Sequence, residues 1–237
     1  MPRGLQVLAG WGLGLGLGLA AASGARAESQ LGGALSIDSD YRLRGVSLTD
    51  RQPAAALSLA YDHGSGVYAG AAVVARESPD GDGRLLGHTE YVGYVAQGRG
   101  GYAWDIGVNN QDFTPYGPQP FHLRYSEAYV GVSRGDLSAR IYYSPNYLRS
   151  WGTTAYLDLN AVLRPADDWR LSGHAGALVP AGGGAGPVRT RYDLRLGVAR
   201  DFRAGELRAN FTTAWPTPAA LSSRAGAALV VGASVFF

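Results

Sequence analysis

The sequence predicts an all-β protein, a transmembrane antiparallel up-and-down β-barrel. Three observations carry this expectation. Apolar and polar residues alternate with period two in about twelve segments of strand length. The connections between these segments alternate between short and long. The final segment alternates to its last residue, the aromatic Phe237.

The alternation is clearest at the C-terminal end, where Leu229, Val231, Ala233, Val235 and Phe237 share a face. Upstream, Leu207, Phe211 and Trp215 oppose Arg208, Asn210 and Thr212, and Tyr192, Leu194 and Leu196 oppose Arg191, Asp193 and Arg195. Trp169 and Leu171 oppose Arg170 and His174; Leu157 and Leu159 oppose Tyr156, Asp158 and Asn160; Leu137 and Ile141 oppose Arg140 and Tyr142. In the N-terminal half, Leu57 and Leu59 oppose Ser58 and Ala60, while Trp104, Ile106 and Val108 oppose Asp105 and Asn109. The first strand is read as Leu35, Ile37, Tyr41 and Leu43 against Ser36, Asp38, Asp40, Arg42 and Arg44. Residues 67–75 and 88–96 are small and apolar on both faces, so their facing stays open; a strand near 126–133 completes the set.

A soluble sandwich also alternates. Here the polar face carries full charges on many strands, which suits a wet lumen behind a lipid-facing wall. Short turns are expected at 63–66, 98–101, 135–136, 165–168 and 203–206, and longer loops at 47–52, 77–87, 110–122, 146–152, 180–187 and 216–224. Short periplasmic turns and long external loops are the barrel pattern. Twelve strands fit the length, with ten as the alternative if the two ambiguous segments are misread.

Residues 1–27 read as a cleaved signal peptide. Arg3 precedes the apolar run Leu13 to Ala22, and Ala25-Arg26-Ala27 is the small-x-small pattern of a cleavage site. Residues 28–237 then form the barrel. The chain has no cysteine, which excludes disulfides and thiolate chemistry. All 21 basic residues are arginine; without Arg3 and Arg26 the mature chain holds 19 against 19 acidic residues. A balance of zero argues against nucleic acid as a partner. No apolar run in the mature chain reaches helical spanning length, and a closed barrel is the other structure that satisfies its backbone in lipid.

Charges facing lipid are costly, so the charged rows are expected to line the lumen. These candidates are Asp38, Asp40, Arg42 and Arg44 on the first strand, then Glu90, Asp105, Glu127, Arg140, Asp158, His174, Arg191, Asp193, Arg195 and Arg208. Trp104, Tyr102, Tyr143, Tyr147, Trp151, Trp169 and Trp215 lie near strand ends, where aromatic girdles meet headgroups. No metal, cofactor or catalytic site is expected. The four histidines lack zinc-ligand spacing, Asp80-Gly81-Asp82-Gly83 lacks the later ligands of a calcium loop, and no nucleophile elbow occurs. An acid/base pair of His174 with Asp158 or Glu127 is the one enzymatic alternative.

The run Ser39-Asp40-Tyr41-Arg42-Leu43-Arg44-Gly45-Val46-Ser47-Leu48-Thr49-Asp50-Arg51-Gln52-Pro53-Ala54 resembles the opening signature of the TorF-type porin family. Tyr68-Ala69-Gly70, Glu90-Tyr91-Val92-Gly93-Tyr94, Tyr142-Tyr143-Ser144-Pro145-Asn146-Tyr147 and Tyr192-Asp193-Leu194-Arg195-Leu196-Gly197 continue the likeness in order. Residues 112–125 depart from it, with added Pro and Phe. The resemblance implies a porin-like barrel and supplies no substrate or catalytic residue. The expected role is a passive channel for small hydrophilic solutes in the cell outer membrane, with Phe237 read by the barrel assembly machinery. A closed structural or interaction barrel is the alternative. At a tilt of about 40° twelve strands give a backbone radius of roughly 12 Å, which side chains narrow to a few ångströms.

Overall fold

A computed structural model describes residues 29–77, 82–114, 122–148, 152–182, 188–216 and 226–237. The expected signal peptide, Trp151 and the Asp80-Gly81 pair lie outside these residues. β1 (Gln30–Asp38) is followed by two short strands, β2 (Arg42–Leu43) and β3 (Val46–Ser47). The wall continues through β4 (Ala54–Asp62), β5 (Val67–Glu77), β6 (Gly83–Gln97), β7 (Tyr102–Phe113), β8 (Leu123–Arg134) and β9 (Leu137–Ser144). It is completed by β10 (Thr154–Ala166), β11 (Trp169–Pro180), β12 (Arg191–Phe202), β13 (Gly205–Trp215) and β14 (Ala228–Phe236).

β1 and β4 to β14 form one closed antiparallel barrel of twelve strands, each paired with its neighbours in sequence, and β1 closes on β14. The two segments of ambiguous facing both enter the wall, as β5 and β6, so the count is twelve rather than ten. Closure matters energetically, because an open edge in hydrocarbon leaves unpaired backbone groups at several kcal/mol each.

The side chains are distributed inside out relative to a soluble barrel. Leu35, Ile37, Ile106, Val108, Leu196, Val231 and Val235 all face outward and are roughly half exposed. Asp38, Asp105, Glu127, Arg140, Asp158, Asp193 and Arg208 are buried inside. A continuous apolar outer surface of this kind would associate in water, and it is stable against lipid. Tyr102, Trp104, Tyr143, Trp169 and Trp215 also face outward. Tyr147 does not: it is buried and packs on Tyr125 inside, with ring centroids 4.7 Å apart.

The seam is short. β1 and β14 pair from Ala34–Phe236 to Asp38–Gly232. Beyond that register, Gly33 N donates to Phe237 O at 2.8 Å and Phe237 N donates to Gly33 O at 3.0 Å. The Phe237 ring lies over Gly33, where a Cβ would come within 2.5 Å of it.

Two expectations about strand extent are corrected. The wall strand β1 ends at Asp38, so Asp40, Arg42 and Arg44 are not on it, and Tyr41 and Leu43 do not share the outer face of Leu35 and Ile37. Residues 39–53 turn into the lumen instead. β6, β7 and β8 extend into residues expected as loops, with His88 opposite Asp112 and Asp112 opposite Arg124. Outward there are His88, Asp112 and Arg124, together with Leu85.

Candidate functional site in the barrel lumen

The lumen is divided by the inward segment 39–53. Its core is a two-residue hairpin turn at Arg44-Gly45, with Arg42 paired to Ser47 and Leu43 to Val46. Arg44 (φ 48°) and Gly45 (φ 74°) both adopt the left-handed conformation that such a tight turn requires. Asp40 is the hub of the fold-back. It accepts hydrogen bonds from Arg42 Nε at 2.6 Å, Ser47 Oγ at 2.5 Å and Thr49 Oγ1 at 3.0 Å. Leu48 N closes the loop on Tyr41 O at 2.8 Å, and the Leu48 side chain is fully buried.

From this fold-back the hairpin reaches the opposite wall. Arg44 Nη2 contacts both oxygens of Glu127 on β8, at 2.7 and 2.9 Å. Its guanidinium carbon sits 3.8 Å above the Tyr156 ring of β10. Arg42 Nη1 donates to Gly226 O at 2.8 Å, and Arg76 Nη1 on β5 donates to Thr49 O at 2.8 Å. Tyr41 packs near Phe113, ring centroids 6.0 Å apart. Gly45 lies against β13, where a Cβ would come within 2.7 Å of the Thr213 carbonyl oxygen.

Three further networks line the wall. Asp105 on β7 accepts from Tyr68 on β5 and from Arg140 Nε on β9 at 2.7 Å, and the Tyr68 and Tyr129 hydroxyls are 2.6 Å apart. His174 on β11 is held between two carboxylates, Asp193 at 2.8 Å and Asp158 at 3.2 Å, with the Tyr156 hydroxyl 3.2 Å from its Nε2. Arg208 on β13 grips Asp38 across the seam with Nη2 at 2.6 Å and contacts Glu206 at 2.9 Å; Glu206 in turn pairs with Arg170. These contacts are charge-assisted and fix side chains on different strands relative to one another.

Glycines make room for the tyrosines. Tyr68 lies over Gly93, Tyr91 over Gly70, Tyr129 over Gly107 and Tyr156 over Gly176, each at a distance no Cβ could share. This corrects one lumen assignment. The register that puts Tyr91 over Gly70 inside turns Glu90 outward, where its side chain is 61% exposed beside His88 at 3.7 Å. Asp38, Asp105, Glu127, Arg140, Asp158, His174, Arg191, Asp193 and Arg208 are buried inside the barrel. Arg195 shares the central cavity with Asp158, His174 and Asp193. Asp40, Arg42 and Arg44 are inside as well, carried by the hairpin rather than by the wall. Sequence reasoning left out Arg76 and Glu206. The first sits in a segment without clear alternation, and the second was placed in a turn.

Beneath the hairpin a cavity of about 60 Å³ remains, bounded by Asp38, Asp40, Arg42, His174, Arg195 and Arg208. That is room for a handful of waters and too little for a sugar. The wall formed by β1, β4 and β5 is different in kind. Its inward residues are small: Gly32, Ala34 and Ser36 opposite Ala60, Ser58 and Ala56, with Gly70 and Ala72 next to them. At the ends of this small-residue patch, Asp38 meets Arg208, Tyr68 meets Asp105 and Arg76 meets Thr49 O.

Both ring nitrogens of His174 face carboxylates, and among the described residues no serine or threonine hydroxyl hydrogen-bonds it. His88 is on the outer face of β6, on the far side of the wall from this cluster. No group of three or more His, Asp or Glu suited to hold a metal occurs among the described residues.

An apolar outer wall, a charged interior and twelve strands define the class: this is a closed twelve-stranded antiparallel β-barrel of the membrane-spanning type. The chain belongs to the family described as "Bacterial protein of unknown function (Gcw_chp)", which matches residues 22–232. Among solved structures it is similar to the KdgM porin, with a TM-score of 0.53 and 10% identity over 87% of this chain and 99% of that one. The KdgM porin in complex with disordered oligogalacturonate gives a TM-score of 0.53 and 10% identity over 88% and 99% of the two chains. At this identity the likeness is one of fold. The chain has no match among curated proteins.

Proposed function

We propose that the protein is a channel of the cell outer membrane for passive diffusion of small hydrophilic solutes through a narrow polar lumen. The observation that carries this reading is the interior. Charges of both signs are held on the inner face of the wall, and small residues line the inner face of β1 and β4. A barrel serving only as an anchor has no need of a polar inner wall. The resemblance of the segment 39–54 to the TorF-type porins supports the same reading.

The mechanism is diffusion with weak electrostatic selection. Asp38 is paired with Arg208, Asp105 with Arg140, and Glu127 with Arg44. Paired charges present alternating donors and acceptors to a solute while cancelling most of the long-range field. Modest ion preference and tolerance of neutral polar solutes follow. The surrounding roles fit: residues 1–27 direct export, the outer apolar band meets lipid, and Phe237 on the closing strand is the residue offered to the barrel assembly machinery.

A second reading, a closed barrel with a structural or interaction role, is favoured by one observation. The hairpin 39–53 folds into the lumen, and the cavity beneath it holds about 60 Å³. Swelling of proteoliposomes in isotonic sugars of graded size separates the two. The channel reading predicts swelling with the smallest solutes, falling off with size. No swelling in any solute, from protein shown to be folded by its heat-modifiable gel mobility, would establish the closed barrel instead.

A further inference from the structure

We propose that the hairpin 39–53 is a movable gate, closed in the described state, and that the Arg44–Glu127 pair is the latch that holds it. The inference rests on the channel reading above. Four observations support it.

First, the hairpin is self-contained. Asp40 gathers Arg42, Ser47 and Thr49, and Leu48 N bonds Tyr41 O, so most of its polar bonds are internal. Such a unit can leave the wall without unfolding. Second, its polar ties to the wall are few. Among the described residues they include the Arg44–Glu127 pair, with Arg44 stacked on Tyr156, the Arg76 bond to Thr49 O, the Arg42 bond to Gly226 O and, at the root of the segment, the Ser39 bonds to Val231 on β14. Third, the described residues other than glycine with left-handed backbone are Arg44, Asp50, Arg51 and Leu148, and the first three lie in this one segment. Backbone held in that region persists only where its surroundings over-determine it. At Arg44 the contacts with Glu127 and Tyr156 add to the restraint of the turn itself. Fourth, the hairpin covers the cavity bounded by Asp38, His174, Arg195 and Arg208, so its departure opens that polar space.

The apolar packing of Tyr41 and Leu48 sets the resting bias. It keeps the closed form dominant, so the open form is a minor population in the native protein. A two-state element of this kind responds to any change that weakens one state more than the other. Glu127 contacts the hairpin only in the closed form, and its loss therefore shifts the balance toward open.

The test is single-channel recording in planar bilayers on three proteins: the native chain, Glu127→Gln, and a chain in which residues 40–51 are replaced by a short Gly/Ser linker. Folding of each is checked by heat-modifiable mobility. The expected result is brief openings in the native chain, an open-to-closed ratio raised about tenfold in Glu127→Gln, and persistent conductance in the linker variant. A linker variant that conducts more than native, with Glu127→Gln unchanged, overturns the latch. A linker variant that conducts as the native chain does overturns the gate and leaves the channel standing. Silence from all three folded proteins overturns the channel reading itself, and the gate with it.

Discussion

At Asp38 one carboxylate holds two sides of the barrel seam. It sits on β1, takes both of its oxygens to Arg208 Nη2 at 2.6 Å, and reaches past β14 to do so. Gly232 on β14 provides the opening, since a Cβ there would collide with the carboxylate. Removing one member of a buried pair leaves the other charge poorly compensated, so Asp38→Ala is expected to cost about 3 kcal/mol. Glu206 remains beside Arg208 and keeps the loss from growing larger. The shift of the urea midpoint for the folded barrel measures it, and an unchanged midpoint would remove the pair from the account of the seam. Asp38 was legible in the sequence because it alternates with Leu35 and Ile37 on a true wall strand. Glu90 was not. Its neighbours are small and apolar on both faces, and its direction is decided by Tyr91 settling over Gly70, a packing event with no periodic signature.

At the scale of elements, strand number and connection order followed from period-two alternation and loop lengths, and the structure has them. The segment 39–53 shows where alternation fails. Asp40, Arg42 and Arg44 keep period two straight through a reversal of the chain. A wall strand and an inward hairpin therefore read alike. The Gly at position 45 was the available sign, since a two-residue turn ending in Gly is a hairpin signal. The outer ends of β6 and β7 were hidden for another reason: there apolar side chains such as Leu86 and Phe113 point inward and polar ones such as His88 and Asp112 point outward, the reverse of the pattern that marks the wall. The closing element makes a sharper prediction. The Phe237 ring occupies the space a side chain at Gly33 would need. Gly33→Leu should lower the temperature at which the compact form is lost on a gel, and Gly33→Leu combined with Phe237→Ala should recover part of that loss. If Gly33→Leu melts with the native chain, the ring does not seal the seam as described.

For the whole molecule, the defining feature is the reversal of inside and outside: charge within, Leu, Val and aromatic side chains without. That reversal was the most legible property of the sequence, because both faces of most strands carry it. How the interior is filled was the least legible, because it depends on a hairpin whose contacts span more than 80 residues of sequence, as from Arg44 to Glu127. The absence of cysteine offers a direct probe, since any introduced cysteine is unique. β4 carries the two faces side by side, with Ala56, Ser58 and Ala60 on the small-residue inner wall and Leu57, Leu59 and Tyr61 outside. The most direct test of a wet lumen behind an apolar wall is cysteine labelling at these six positions, one at a time, in protein folded into lipid vesicles. The account predicts that a charged, membrane-impermeant thiol reagent modifies positions 56, 58 and 60 and spares 57 and 59. Uniform labelling along β4, or labelling of 57 and 59 in place of 56 and 58, would contradict it.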